Sequence, residues 1–293
     1  MSLRKLIGKE IEITVKDHGA ELVSLKERKT GCEYMWNADP AYWGKTSPIL
    51  FPFVGGLKDN LYEFEGRKYQ MRKHGFARDM EFQFISQDEN SIWFELSANE
   101  ETLKCYPFLF KLRQGYEIKD KTVIVHWKVW NEQNEVMHFS LGGHPAFFCP
   151  IGQEREGKKS NLKFDKNVIE LISTQITPEG LAGLKKTNYP LENGMLQISE
   201  HLFDEDALVI ENHQVNYVEL ADAYGKSYLR VSFDAPLFGI WAPAGGKAPF
   251  VCIEPWYGRC DAKEFQGTLE ERVWGNQLLP GEVFDAEYRI TVL

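Results

Sequence analysis

The stretch TVIVHWKVW (122–130) carries Val123, Val125, Trp127 and Val129 at every second position, with Ile124, His126, Lys128 and Trp130 between them. A period of two puts alternate side chains on opposite faces of a β-strand; it cannot form one stripe on a helix, whose period is 3.6. The same alternation recurs in EIEITV (10–15), EFQFIS (81–86), SIWFEL (91–96) and YRITVL (288–293), all rich in β-branched or aromatic residues. Turn-forming clusters divide these runs: KDHG (16–19), NADP (37–40), GLKDN (56–60), QDENS (87–91) and WNEQNE (130–135). Helical patterning is confined to ANEETLKCYPF (98–108), opened by the cap residue Asn99, and AKEFQGTLEER (262–272). There is no GxGxxG and no strand–helix rhythm, which argues against a doubly wound nucleotide fold. No Pro/Ser-rich linker interrupts the 293 residues. The expectation is an all-β chain folded as one large antiparallel β-sandwich, a single domain over residues 1–293. The stretch 151–200, with the polar span GQEREGKKSN (152–161), reads as a long insertion with short strands.

Bulk properties remove several classes of partner. The net charge is -9 and there is no basic block, so neither nucleic acid nor an anionic membrane surface is an expected partner. No apolar run approaches the roughly 18 residues of a membrane span, and the start, MSLRKLIGKEIEITV, lacks the apolar core of a secretory signal. Cys32, Cys105, Cys149, Cys252 and Cys260 are odd in number and form no CxxC pair, which fits a reducing, cytoplasmic setting better than a disulfide framework.

Four segments can carry chemistry: SPILFPFVGGLKDN (47–60), KHGFARDMEF (73–82), FSLGGHPAFFCP (139–150) and VCIEPWYGRCD (251–261). In the last two, an apolar run stops at a titratable residue, His144 or Glu254, followed directly by proline. Proline biases its predecessor toward extended geometry and removes a ladder donor, so each residue is expected at a strand end, its side chain free to face a cleft. The nearby aromatics Phe147, Phe148, Trp256 and Tyr257 are candidates for apolar walls. The competing reading is a glycine turn with an incidental histidine, and single motifs do not separate the two. No metal site is expected: His126 and His138 lie in strands, and HxH, HExxH and CxxC are absent. There is no GxSxG elbow, and Cys149 lies too close to His144 along the strand–turn to form a nucleophile pair with it. Carboxylates are plentiful, which leaves a two-carboxylate glycosidase open.

Taken in order, LFP, HGFAR, GGHPAF and IEPWYGRCD resemble the aldose 1-epimerase (galactose mutarotase) family, most of all its branch of lactose-operon protein X and hexose-6-phosphate mutarotase-like proteins. The resemblance runs from about residue 10 to the end. It implies a large antiparallel β-supersandwich that interconverts the anomers of a hexose or hexose phosphate, without metal or organic cofactor, as a monomer or homodimer. By similarity, His144 is the general acid and Glu254 the general base. His74 and Asp206 match hydroxyl-binding residues, and Arg78 and Trp241 line the cleft. The family carries a Gly-Arg pair after LFP; here Gly56 occupies the arginine position, and the nearby Lys58 is the candidate to take over part of its role. Lys58, Arg78 and Arg259 are the cations available for a phosphate.

Anomer exchange asks for one acid and one base about the C1–O5 region, with roles that swap on the return step. Histidine titrates near neutrality unaided, whereas glutamate needs burial to approach that range. The starting expectation is an ionised Glu254 beside a protonated His144. Two other readings stand beside the isomerase: a non-catalytic sugar-binding or sugar-sensing protein on the same fold, favoured by Gly56, and the glycosidase.

Overall fold

The computed structural model describes residues 2–151 and 160–293, so the first eight positions of the polar span 152–161 lie outside the described residues. The alternating strand 122–130 forms as expected. It occupies Thr122–Asn131, and Val123, Val125, Trp127 and Val129 are all at most 1 % exposed. It pairs antiparallel with Phe110–Lys119 on one side and Val283–Val292 on the other, near the middle of a nine-stranded sheet. An eight-stranded antiparallel sheet lies against it. The largest cluster of buried side chains draws on both sheets, with Val125 and Trp127 from one and Phe238, Ile240 and Ile253 from the other. Two sheets that share an inner apolar face in this way make a β-sandwich. A three-stranded sheet, Leu3–Ile7, Ile11–Lys16 and Glu21–Glu27, adds Ile11, Ile13 and Val15 to the same core.

The six-residue helix Glu100–Cys105 forms where its cap predicts. The Asn99 side chain accepts from the backbone N–H of Glu101 and Thr102, and Thr102 answers with a hydrogen bond from the Asn99 N–H. The second expected helix does not form. Within 262–272 only the single turn Leu269–Glu271 is helical. The backbone before it is held extended by tertiary bonds, Ala182 N to Asp261 O and Lys263 N to Ala182 O.

Residues 160–200 are not an insertion. Glu170–Ile176 and Ala182–Pro190 are the outer strands of the eight-stranded sheet, while Asn161–Lys163 and Met195–Gln197 extend the nine-stranded one. They look unpatterned because edge strands are partly solvated: Ala182–Pro190 buries only its first residue.

Candidate active site

The eight-stranded sheet contains the strand Phe250–Tyr257, and its alternation sorts functional from structural side chains. Val251 and Ile253 face the main core. Cys252, Glu254 and Trp256 point the other way. Glu254 therefore lies within a strand, not at its end as the following proline suggested. The proline is tolerated because the neighbouring strand is broken at that point. Ala146–Phe148 pairs with residues 250–252, and Leu141–Gly142 with residues 256–257. His144-Pro145 spans the gap, where the Pro145 carbonyl accepts from Ile253 N at 3.1 Å. The register on either side, Gly142 opposite Trp256 and Ala146 opposite Cys252, brings His144 directly across from Glu254. Two glycines make room for the wall beside them. A Cβ on Gly142 or Gly239 would come within 2.6 and 2.5 Å of the Trp256 indole.

His144 Nε2 lies 3.2 Å from Glu254 Oε2. The contact is not aligned as a hydrogen bond, and among the described residues neither Glu254 Oε2 nor His144 Nδ1 has a hydrogen-bond partner. Both residues are buried, Glu254 to 1 % exposure. Burial is the largest influence on each and favours the neutral forms. It raises the Glu254 carboxyl well above the usual range, with Asp206 adding to the rise and Lys73 opposing it. It lowers the His144 imidazole, helped by the charges of Arg78 and Lys73. Burial therefore favours the proton on the carboxyl over the imidazole, where the sequence suggested an ionised Glu254 and a protonated His144. The proton count is the same in both descriptions; burial decides where the proton sits.

The pair lies on the wall of a cavity of about 470 Å³, within the usual range of small-molecule sites. Trp43 stacks on the His144 ring at 4.7 Å and 29°, and Trp241 meets it edge-on at 5.7 Å. His74 adopts φ +69°, and its backbone and ring bind one residue: His74 N donates to Gly55 O, and Gly55 N donates to His74 Nδ1 at 3.1 Å. An accepting Nδ1 leaves the hydrogen on Nε2. Burial first, then the neighbouring His144, Lys73 and Arg78, keep this ring neutral. Arg78 donates through Nη2 to Lys73 O at 3.0 Å, while its buried Nε lies 3.6 Å from Asp79 Oδ2 and has no hydrogen-bond partner among the described residues. Asp206, at φ +76°, accepts from Ala207 N through Oδ1 at 2.8 Å. His74, Arg78, Asp206 and Trp241 all line the cavity with His144 and Glu254.

Lys58 does not. Its Nζ donates to Phe265 O at 3.1 Å, and it lines a neighbouring chamber of about 580 Å³ together with Gly56. Arg259 is likewise turned away, donating to Glu211 and to Cys260 O. The two chambers share Lys73 and Gly180. Of the aromatics beside the motifs, Trp256 lines the cavity, whereas Phe147 is packed in the core. The sequence reading missed Trp43 and Lys73. Lys73 had an available signal, lying next to His74; Trp43 sits in a stretch read only for its turn residues.

An acid and a base in contact, ringed by polar side chains and indoles, have the chemistry to move protons on a polyhydroxy compound and to hold its ring. Comparison with known proteins shows the family. Residues 5–291 match the model of the aldose 1-epimerase family. Protein LacX, chromosomal, of Lactococcus lactis subsp. lactis is 32% identical over 99% of both chains. A galactose mutarotase related enzyme from Lactobacillus acidophilus superimposes with a TM-score of 0.92 at 33% identity, over 100% of this chain and 97% of that one. A galactose mutarotase-like protein from Lactobacillus casei does so at 0.90 and 27%, over all of both chains. No helix of the described residues is long and apolar enough to cross a membrane. With the fold, the cavity and both sequence comparisons in agreement, this chain belongs to the aldose 1-epimerase family.

Proposed function

We propose that the chain is a mutarotase that interconverts the α and β anomers of a hexose or hexose phosphate by opening and closing the ring at C1–O5. The observation that carries this reading is the cross-strand contact of His144 and Glu254 at 3.2 Å on the cavity wall. The pair holds one proton, and its transfer across the contact converts the neutral pair into an imidazolium and a carboxylate. Sugar hydroxyls supply the hydrogen bonds that Glu254 Oε2 does not receive from the described residues. Glu254 then accepts the proton of the C1 hydroxyl while His144 gives one to O5. The C1–O5 bond breaks, C1 becomes a carbonyl, rotation about C1–C2 presents its other face, and closure repeats the transfers in reverse. Each transfer needs the group within hydrogen-bond reach of its oxygen. His74 Nε2–H, Arg78 and Asp206 are placed to hold the hydroxyls, and Trp43 and Trp241 offer apolar faces to the ring.

The test is anomer exchange. Fresh α-D-glucose, α-D-galactose and their 6-phosphates are followed to equilibrium by NMR, with wild type and Glu254→Gln. Acceleration by wild type and its loss in the variant are expected, and the ranking of free against phosphorylated sugars names the substrate. The second reading, a sugar-binding protein without turnover, has Gly56 in its favour, because no side chain there reaches toward the chambers. Sugar binding by calorimetry with no acceleration of any anomer would favour it.

A further inference from the structure

Two residues before Glu254, on the same face of its strand, lies Cys252, wholly buried and close to the proton-transfer pair. One ligand atom each of His144, Cys252 and Glu254 lie within 4.8 Å of one another, a grouping of metal-ligating side chains found among the described residues. We propose that His144, Cys252 and Glu254 form a binding site for a thiophilic divalent cation of the Zn²⁺ class, which enters through the sugar cavity and arrests the site by occupying its acid and base.

Bonds of about 2.0–2.3 Å place the ligand atoms of a tetrahedral ion about 3.3–3.7 Å apart. The 3.2 Å between His144 Nε2 and Glu254 Oε2 is already close to that spacing. The thiol needs to approach by no more than about 1 Å. Glu254 Oε2 is buried and has no hydrogen-bond partner among the described residues, so a cation there replaces protons and not hydrogen bonds: the Glu254 carboxyl and the Cys252 thiol each release one to solvent as it binds. Imidazole with thiolate selects Zn²⁺-like ions over Mg²⁺ or Ca²⁺, which prefer all-oxygen sites. His144 and Glu254 open onto the cavity, which leaves the fourth position to water. No sequence spacing announces this set, because His144, in the gap of the broken strand, meets Cys252 and Glu254 only in the folded sheet. The ion is an inhibitor in this proposal, not a resident cofactor. Only the inhibition rests on the mutarotase reading; the binding does not.

The experiment titrates the whole protein with Co²⁺ and follows the thiolate-to-metal charge-transfer band. One saturable equivalent is expected, with the band lost in Cys252→Ser and retained in Cys32→Ser and Cys105→Ser. A band that survives Cys252→Ser, or no saturable band in wild type, overturns the proposal. Glu254→Gln keeps the thiol and removes a different ligand; Zn²⁺ calorimetry should show a Kd at least about tenfold weaker, and an unchanged Kd counts against the site. If the protein exchanges anomers, its rate should fall in step with Zn²⁺ occupancy and return with a chelator; full activity at full occupancy refutes the inhibitory role. If it exchanges none, the Co²⁺ band still decides the site.

Discussion

Two buried glutamates stand two strands apart in the same sheet, and their surroundings could hardly differ more. Glu211 ends the strand Leu208–Glu211, and Glu254 lies within Phe250–Tyr257, with Leu237–Trp241 between them. They are 6 % and 1 % exposed. Burial disfavours the charge of both. At Glu211, Lys186, Thr174 at 2.6 Å, Arg259 at 2.6 Å and the Trp274 indole at 3.2 Å all donate to the carboxylate. Burial raises its pKa, but the Lys186, Thr174 and Arg259 bonds outweigh it and bring the value down to about 2. At Glu254 no donor among the described residues completes the shell of Oε2, and burial outweighs the opposing influence of Lys73 and Trp256 and raises the carboxyl well above the usual range. A carboxylate with every lone pair engaged is a structural ion, and its proton is out of reach of chemistry. One left short of partners is unstable as an ion and poised to exchange a proton with a ligand that brings hydroxyls.

That contrast can be broken at either glutamate. The largest effect is expected for Glu254→Gln, which should lower the anomer-exchange rate by about 10²–10⁴ and leave the melting temperature close to wild type, because a neutral amide replaces a neutral acid. Polarimetry and thermal unfolding together check it, and near-normal turnover would refute the role proposed for Glu254. Glu211→Gln should do the reverse, costing about 2–4 kcal/mol of stability by stranding Lys186 and Arg259, as read from denaturant unfolding; an unchanged midpoint would show that the network is ornamental.

The pH dependence sharpens the same point. Glu211 has a folded pKa of about 2 against an ordinary carboxylate value of 4.5, so its contribution is fully present above about 4.5 and is lost as pH falls toward 2. Wild type should therefore lose stability more steeply than Glu211→Gln across that window, by up to about 1.4 kcal/mol per pH unit. Parallel curves would contradict the assigned ionisation. The smallest effect belongs to Lys58→Ala. Its ammonium is bound to Phe265 O outside the cavity that His144 and Glu254 line, so KM should stay within about twofold, a change of about 0.5 kcal/mol or less. A large rise in KM would bring Lys58 back into the sugar site.

Much of the architecture was legible in the chain. The period-two run at 122–130 declared a strand with one buried face, and Asn99 declared the helix it caps. The proline after each titratable residue marked a strand end at His144, which follows Leu141–Gly143, but not at Glu254, which lies within Phe250–Tyr257. The edge strands of 160–200 were not legible, because a partly solvated strand needs no clean alternation. Nor was the fate of 262–272, where bonds from Ala182 override a local helical pattern.

Sequence by itself determined the all-β class, the candidate residues and, through the ordered motifs, the family to which the chain belongs. Which of those residues meet was decided only by the tertiary structure. The broken strand that seats His144 opposite Glu254, the turn of Lys58 toward Phe265, the stacking of Trp43 on His144 and the approach of Cys252 are all contacts across strands or loops. Composition and local period report what one segment prefers, whereas burial and partner count, which set the charge of a carboxylate, exist only once distant segments are packed together.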